Sequence, residues 1–372
     1  MRPVIKNRFA EFFDRWSRKL ALREYYSMDD YQWWLDHNPV YLHSGAVERI
    51  HLQDRLTQDG TNDLFRANYW IERPGESGKH GERLIVVKFC KYYVTPGANR
   101  LHRLNMIISS FEDEIRINNL IRATNIEGVA QSLGGGIAGR LPYLKMELIK
   151  GCSLDKMFKT ELSEEELIPR VAQIAYLANT ISQLHYYQIV HKDLKPKNLL
   201  LCQDPSHINN HKILVCDFGY AQAKLRESIT EYGGQMTPAY SAPEQAVMGE
   251  NLSSSVDYFS FGIIMHEYLT GKNPFPETIK IFAEDNFRIT ERYLEYLRTG
   301  RQNVFESDLF PEIHEWIDQL TTFDSIERMQ KSENLFNIAH KLRERVNALG
   351  YHDVNTDFLW NQLREYRGEN RQ

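Results

Sequence analysis

The sequence has only four cysteines in 372 residues, Cys90, Cys152, Cys202 and Cys216, and no two stand in a C-x-x-C pair. That spacing argues against a zinc framework and that density against a disulfide scaffold, so reduced thiols are expected. No apolar run approaches the roughly 18 to 20 residues that cross a bilayer, and the opening MRPVIKNRFAEFF has no apolar signal-peptide centre. A cytoplasmic location is the expectation. Neither sign of charge dominates: 45 Lys and Arg stand against 50 Asp and Glu, a net charge of -5. The chain therefore has no global electrostatic reason to bind nucleic acid. Internal repeats, low-complexity stretches and a linker in the middle of the chain are also missing.

What is present is ordinary globular material, 42% hydrophobic and 26% charged, which excludes disorder of the whole chain. In residues 5–24, Phe9, Phe13, Trp16 and Leu20 recur at spacings of three and four and form one aromatic face on a basic helix. Packing of that face on the rest of the chain is the leading expectation. A partner protein or an anionic membrane surface are the alternatives. Ser27 and Asp30 have the spacing of a capping box, so a second helix follows SMDD and ends near Asn38-Pro39. Residues 1–45 are thus expected to be a helical extension.

From residue 46 the texture changes to extended segments: VERIHLQDRL, DLFRANYWIE and RLIVVKFCKYYV, the last two separated by the loop RPGESGKHGE. A helix over SSFEDEIRINNLIRAT and a strand over LPYLKMELI follow. Beyond KGCSL the pattern is helical, at 164–188, 255–270 and 311–349. Strands first and helices later predict a segregated α+β architecture. PGESGKHG lacks the spacing of a Walker loop and has His80 where a hydroxyl is required, so it is expected to be a surface hairpin. Gly134 to Gly136 are expected to form a turn between strands.

The stretch VHKDLKPKNLLL, residues 190–201, reads as a charged turn on its own composition. Its company changes that: Lys88 stands in an apolar strand, Glu114 in the following helix, and DFG at Asp217 to Gly219. Phosphoryl transfer needs these residue types. A fixed ammonium holds phosphate oxygens, a carboxylate on a neighbouring helix holds that ammonium, and a carboxylate with a carboxamide supplies oxygen ligands for magnesium.

VVK, HKDLKPKN, DFG and TPAYSAPE occur in the order found in the eukaryotic-type serine/threonine protein kinase family, which this chain resembles over roughly residues 46–345. The resemblance implies a two-lobed fold: a small antiparallel-sheet N-lobe with one helix (46–150), a larger, mainly helical C-lobe (151–345), and a tail (346–372). It implies ATP and Mg2+ in the cleft and a protein substrate with a Ser or Thr acceptor. Lys88 then resembles the phosphate-binding lysine and Glu114 its partner, with Glu112 as a neighbouring carboxylate on the same helix. Asp193 would orient or accept the proton of the substrate hydroxyl, and Lys195 would lie near the transferred phosphoryl group. Asn198 and Asp217 would hold magnesium. KMELI resembles the hinge, with Met146 at the back of the pocket and the backbone of Glu147 and Ile149 facing adenine. Thr237 stands where the family places a threonine beside the catalytic loop. Glu244 of the APE ending has Arg328 as its expected partner, and Asp257 resembles the residue that braces the catalytic loop, with Phe259 in place of the usual tryptophan.

Two further features depart from the family pattern. QDGTNDLF retains only Gly60 of the phosphate loop, with Gln58 and Asp63 where glycines are expected, so a carboxylate there is expected to repel phosphate or to point to water. Lys192 replaces the arginine that grips a phosphorylated activation loop; Ser228, Thr230 and Tyr232 are the candidate acceptors there. The degenerate loop motivates the competing reading, a kinase-fold pseudokinase or nucleotide-responsive scaffold. A small-molecule kinase is a third, disfavoured by Thr237 and Glu244. His191 is expected to be a packing residue rather than a base, and Lys197 a solvated charge.

Overall fold

The computed structural model describes residues 27–42, 44–57, 62–90, 100–138, 141–204, 211–223, 237–246, 252–286, 288–302 and 305–351. The aromatic helix expected at 5–24, Gly60, the acceptors Ser228, Thr230 and Tyr232, and residues 352–372 of the expected tail lie outside them. The chain divides into two compact units. The first takes in residues through Arg122 together with Gln131–Leu148, and the second Ala123–Ala130 with Ile149 onward.

The first unit begins with helix α1 (Met28–His37), whose start is fixed by the capping box. Ser27 Oγ accepts the Asp30 amide at 3.1 Å and the Asp30 carboxylate accepts the Ser27 amide at 2.9 Å. The helix therefore starts inside SMDD rather than after it. Six antiparallel strands follow, β1 (Val40–Tyr41), β2 (Val47–Thr57), β3 (Asn62–Glu72), β4 (His80–Cys90), β5 (Ser132–Ala138) and β6 (Leu141–Glu147), in the sheet order β1-β2-β3-β4-β6-β5. Helix α2 (Arg100–Thr124) sits in sequence between β4 and β5 and begins nine residues before the predicted start.

Alternation along β4 divides the sheet into two faces. Ile85, Val87 and Phe89 pack with Tyr31 and Leu35 of α1, Ile50, Leu52, Phe65 and Tyr143. Cys90 stands on the other face with Phe111 of α2 and Leu144. Helix α1 is thus part of the core of this unit. The glycine run at 134–136 is a strand, β5, and not the expected turn. A Cβ at Gly135 would meet the Tyr143 carbonyl oxygen at 2.8 Å and one at Gly136 the Tyr143 hydroxyl at 2.7 Å, so close backbone approach, not chain reversal, requires glycine here.

The second unit holds the short strands β7 (Gly151–Ser153), β8 (Ile189–Val190), β9 (Leu199–Cys202), β10 (Ile213–Val215) and β11 (Gln222–Ala223). Its helices are α3 (Glu164–Tyr186), α4 (Ser255–Thr270), α5 (Thr278–Glu284), α6 (Glu291–Thr299), α7 (Glu312–Leu320), α8 (Ser325–Lys331) and α9 (Leu335–Ala348). Helix α3 starts at a second capping box, Ser163 with Glu166. Helix α4 is buried on nearly every side, as its unbroken apolar pattern requires. It stops at Gly271, whose φ is +70° and where an added Cβ would run into the Lys159 carbonyl oxygen, so no side chain fits. Among the described residues no helix is long and apolar enough to cross a membrane.

Candidate active site

In the first unit Lys88 lies in β4 between Leu64 of β3 and Leu144 of β6 in register. Its Nζ lies 2.6 Å from Glu114 Oε1, and both side chains are 3% exposed. Two charges this deep are tolerated because each neutralises the other; removal of either strands a buried ion. Glu112, the neighbouring carboxylate, turns instead to Arg116 at 3.5 Å. Burial, with the Glu114 charge adding to it, pushes the nearby Cys90 thiol up to about 12, which makes it an inert core residue. Met146 and Glu147 end β6, and the Glu147 amide donates to the Gln131 carbonyl at 2.9 Å. Ile149 belongs to the second unit.

In the second unit the catalytic-loop stretch forms a hydrogen-bonded cluster around Asp193. Lys195 Nζ donates to Asp193 Oδ2 at 2.7 Å and to Thr237 Oγ1 at 3.1 Å, while the Thr237 hydroxyl donates to Asp193 Oδ1 at 3.0 Å. Asn198 Nδ2 donates to the Asp193 carbonyl at 2.9 Å and to Oδ2 at 3.0 Å. The amide nitrogen of Asn198 is spent in this way, so its carboxamide oxygen is the atom left for a hard cation. Asp217 follows Cys216, whose amide donates to the Asn198 carbonyl at 2.9 Å, and takes a left-handed φ of +63°. No cluster of three or more His, Cys, Asp or Glu able to hold a metal occurs among the described residues. Two oxygen donors fit a magnesium ion that completes its shell with phosphate and water.

The loop's shape is set by Asp257, which is 1% exposed at the start of α4. Its Oδ2 accepts the His191 amide at 2.8 Å and its Oδ1 the Lys192 amide at 2.8 Å. Those bonds offset the strain of Lys192, a non-glycine residue at φ +65°. His185 Nε2 adds a third contact at 2.9 Å; facing a carboxylate, it is the donor. His191 is fully buried, with Nε2 3.1 Å from the Cys216 carbonyl, and so packs as expected. Burial also lowers the pKa of the Lys192 ammonium, with Asp257 opposing it. Lys197 is exposed. Gln245 ties two segments together: it accepts the Ala242 amide at 2.9 Å and donates to the Lys192 carbonyl at 2.8 Å.

For Asp257 burial works to raise the carboxyl, but the His185 hydrogen bond, the His185 and His191 charges and the His191 amide outweigh it and hold it below the ordinary 3.8. A depressed carboxyl stabilises the fold fully above its unfolded value and loses that contribution as pH falls through the folded one. Asp257→Asn is therefore expected to flatten the acid limb of the melting temperature below about pH 4 and to cost about 1 to 3 kcal/mol near neutrality. Scanning calorimetry from pH 2 to pH 7 reads both effects.

The family model described as the protein kinase domain matches residues 81–339, well over half of the chain. The chain belongs to the protein kinase domain family. The order of motifs and the buried Lys88–Glu114 pair accord with that membership, which implies the two-lobed kinase fold. Among curated relatives, the chain is 36% identical over 144 residues to the serine/threonine-protein kinase PknL of Mycobacterium tuberculosis, covering 38% of this chain and 33% of that protein. It is 30% identical over 171 residues to the serine/threonine-protein kinase Pkn1 of Myxococcus xanthus, 45% and 23% of the two chains. It is 33% identical over 141 residues to ribosomal protein S6 kinase alpha-3 of Homo sapiens, 37% and 18%. The chain spans a third or less of the length of these relatives.

Sequence reasoning missed His185, Gln245 and Tyr31. His185 is the penultimate residue of α3 and Gln245 lies beside a motif glutamate, but neither carries a signal of its own. Tyr31 contacts its partner across 32 positions and leaves no local trace. Asp63, expected in the phosphate loop and facing phosphate or water, does neither: it is a β3 residue, 2% exposed, bonded to the Tyr31 hydroxyl at 2.6 Å. Its carboxylate is placed by the alternation of a strand rather than by a loop.

Proposed function

We propose that this kinase-family chain transfers the γ-phosphoryl group of ATP to serine or threonine hydroxyls of protein substrates. The observation that carries the proposal is the intact cluster of Asp193, Lys195, Asn198 and Thr237 in one unit, in a chain whose other unit retains the buried Lys88–Glu114 pair. A scaffold has no physical need to keep a buried ion pair and a polar cluster of this composition, because each costs desolvation.

In the proposed reaction Lys88, held by Glu114, binds phosphate oxygens of the nucleotide, while Met146 guards the back of the nucleotide site, the backbone of Glu147 and Ile149 faces adenine, and Gly60 serves the phosphates. The Asp193 carboxylate orients the acceptor hydroxyl and takes its proton as the oxygen attacks the γ-phosphorus. The bond to the β-phosphate oxygen then breaks and ADP leaves. Lys195 neutralises charge on the phosphoryl group in flight. Asn198 and Asp217 would hold magnesium, which when bound would supply electrostatic stabilisation of the phosphate oxygens. The Thr237 hydroxyl bonds both Lys195 and Asp193, where the family places a threonine beside the catalytic loop, and this supports a protein acceptor.

Incubation with γ-labelled ATP, magnesium and a generic protein acceptor, followed by phosphoamino-acid analysis, is expected to yield phosphoserine and phosphothreonine. Label appearing only in phosphotyrosine or only in small metabolites would overturn the assignment.

A further inference from the structure

Helix α1 precedes the region matched by the kinase family model, yet it enters the core of the unit that carries Lys88. Tyr31 is fully buried, stacks on Phe89 at 4.6 Å with an interplanar angle of 30°, and lies 5.1 Å from the Phe65 ring. Its hydroxyl donates to Asp63 Oδ2 at 2.6 Å. In the sheet register Asp63 opposes Phe89, and the next pair is Leu64 with Lys88. Alternation then sets the Asp63 carboxylate on the α1 face and the Lys88 ammonium on the α2 face. A carboxylate one step from the phosphate-binding lysine is in this way kept behind the sheet.

That placement needs a reason, because a buried carboxylate is costly and Asp63 is the second residue of β3, where a strand end opens cheaply. The phenol supplies a charge-assisted hydrogen bond to that buried carboxylate. Loss of that bond shifts the balance toward hydration of the carboxylate, with Asn62 and Asp63 peeling from Cys90 and Phe89, their partners in β4. The freed charge then stands near the lysine that receives the triphosphate, and like charge repels.

We propose that Tyr31 is a positioning residue for nucleotide binding, holding the Asp63 carboxylate on the sheet face opposite Lys88 so that a nucleoside triphosphate meets lysine without a competing negative charge. This rests on the ATP-binding role of Lys88 proposed above. Helix α1 is by this account a built-in part of the nucleotide site. The effect is electrostatic, so it weakens with added salt.

The test measures ATP affinity in magnesium by calorimetry, with kcat and KM, for the full chain and for Tyr31→Phe, Asp63→Asn and the double variant, at low and high salt. Tyr31→Phe is expected to raise Kd and KM for ATP about tenfold at low salt and less at high salt, with kcat within about twofold. Adding Asp63→Asn is expected to restore the parent affinity, because the charge is gone. Asp63→Asn alone is expected to bind ATP at least as tightly as the parent. Unchanged affinity in Tyr31→Phe, a double variant as weak as the single one, or weaker binding by Asp63→Asn would each overturn the proposal. If the parent binds ATP and these patterns fail, only the role of Tyr31 falls; a parent that binds no ATP overturns the nucleotide site and this role together.

Discussion

Asp193→Ala is expected to lower kcat by about three orders of magnitude while leaving the KM for ATP within a fewfold of the parent. The carboxylate is the acceptor at the centre of the cluster: Lys195, Asn198 and Thr237 all donate to it. Its loss removes the only member of that set able to take a proton, since an ammonium and a carboxamide cannot and a hydroxyl is far too weak a base. Lys88 and Glu114, which belong to the other unit, keep their bond, and nucleotide affinity follows them. Asp193→Asn separates position from basicity. Its amide keeps the size but donates toward Lys195, so kcat falls nearly as far as in the alanine variant. Steady-state assays over a range of ATP concentrations decide this, and a fall in kcat of less than tenfold in both variants would remove Asp193 from the chemical step.

The second large effect concerns stability. Arg328 of α8 is completely buried, and its guanidinium donates to Glu244 Oε1 at 2.7 Å, to Glu244 Oε2 at 3.2 Å, and to the carbonyls of Ser255, Thr322 and Phe323. It also lies 4.9 Å over the ring of Phe259, which fills the place of the family's tryptophan with a smaller aromatic face. Arg328→Met keeps much of the volume and strands the Glu244 carboxylate, so about 3 to 5 kcal/mol of stability is expected to go. For a domain of this size that is a fall in Tm of about 10 °C. The loss reaches function through chain connectivity. Gln245, next to Glu244, holds the carbonyl of Lys192, so loosening the segment loosens the loop that carries Asp193. Adding Glu244→Gln removes the stranded charge and is expected to recover part of the Tm. Differential scanning fluorimetry that shows a shift under about 2 °C for Arg328→Met would contradict this account.

How much of this was legible in the sequence depends on the range of the interaction. Both capping boxes are four-residue devices, and the one at Ser27 with Asp30 is visible in the letters. The strands over 47–57 and 62–72 match their alternating patterns within a residue, and the helix over 255–270 matches its apolar run. The Glu244–Arg328 pair spans 84 positions and was still legible, because a family motif names one partner. Glu112 and Glu114 could not be ranked from spacing, since two residues apart on a helix they differ only in the direction that packing selects. Packing turned Glu114 to Lys88. Gly134 to Gly136 carry the composition of a turn, and only the approach of Tyr143 reveals why a strand needs them. Asp63 and Tyr31 belong to the same class: a polar residue in a strand acquires its meaning from a helix 32 positions earlier.

The central claim is that this kinase-family chain moves phosphate with the residues it retains, and transfer of label from γ-labelled ATP to a protein acceptor in the presence of magnesium tests it most directly. The parent chain is expected to incorporate label, and Asp193→Ala and Asp217→Ala none above background, with both variants folded by circular dichroism. Incorporation undiminished in both variants, or none by the folded parent, would contradict it.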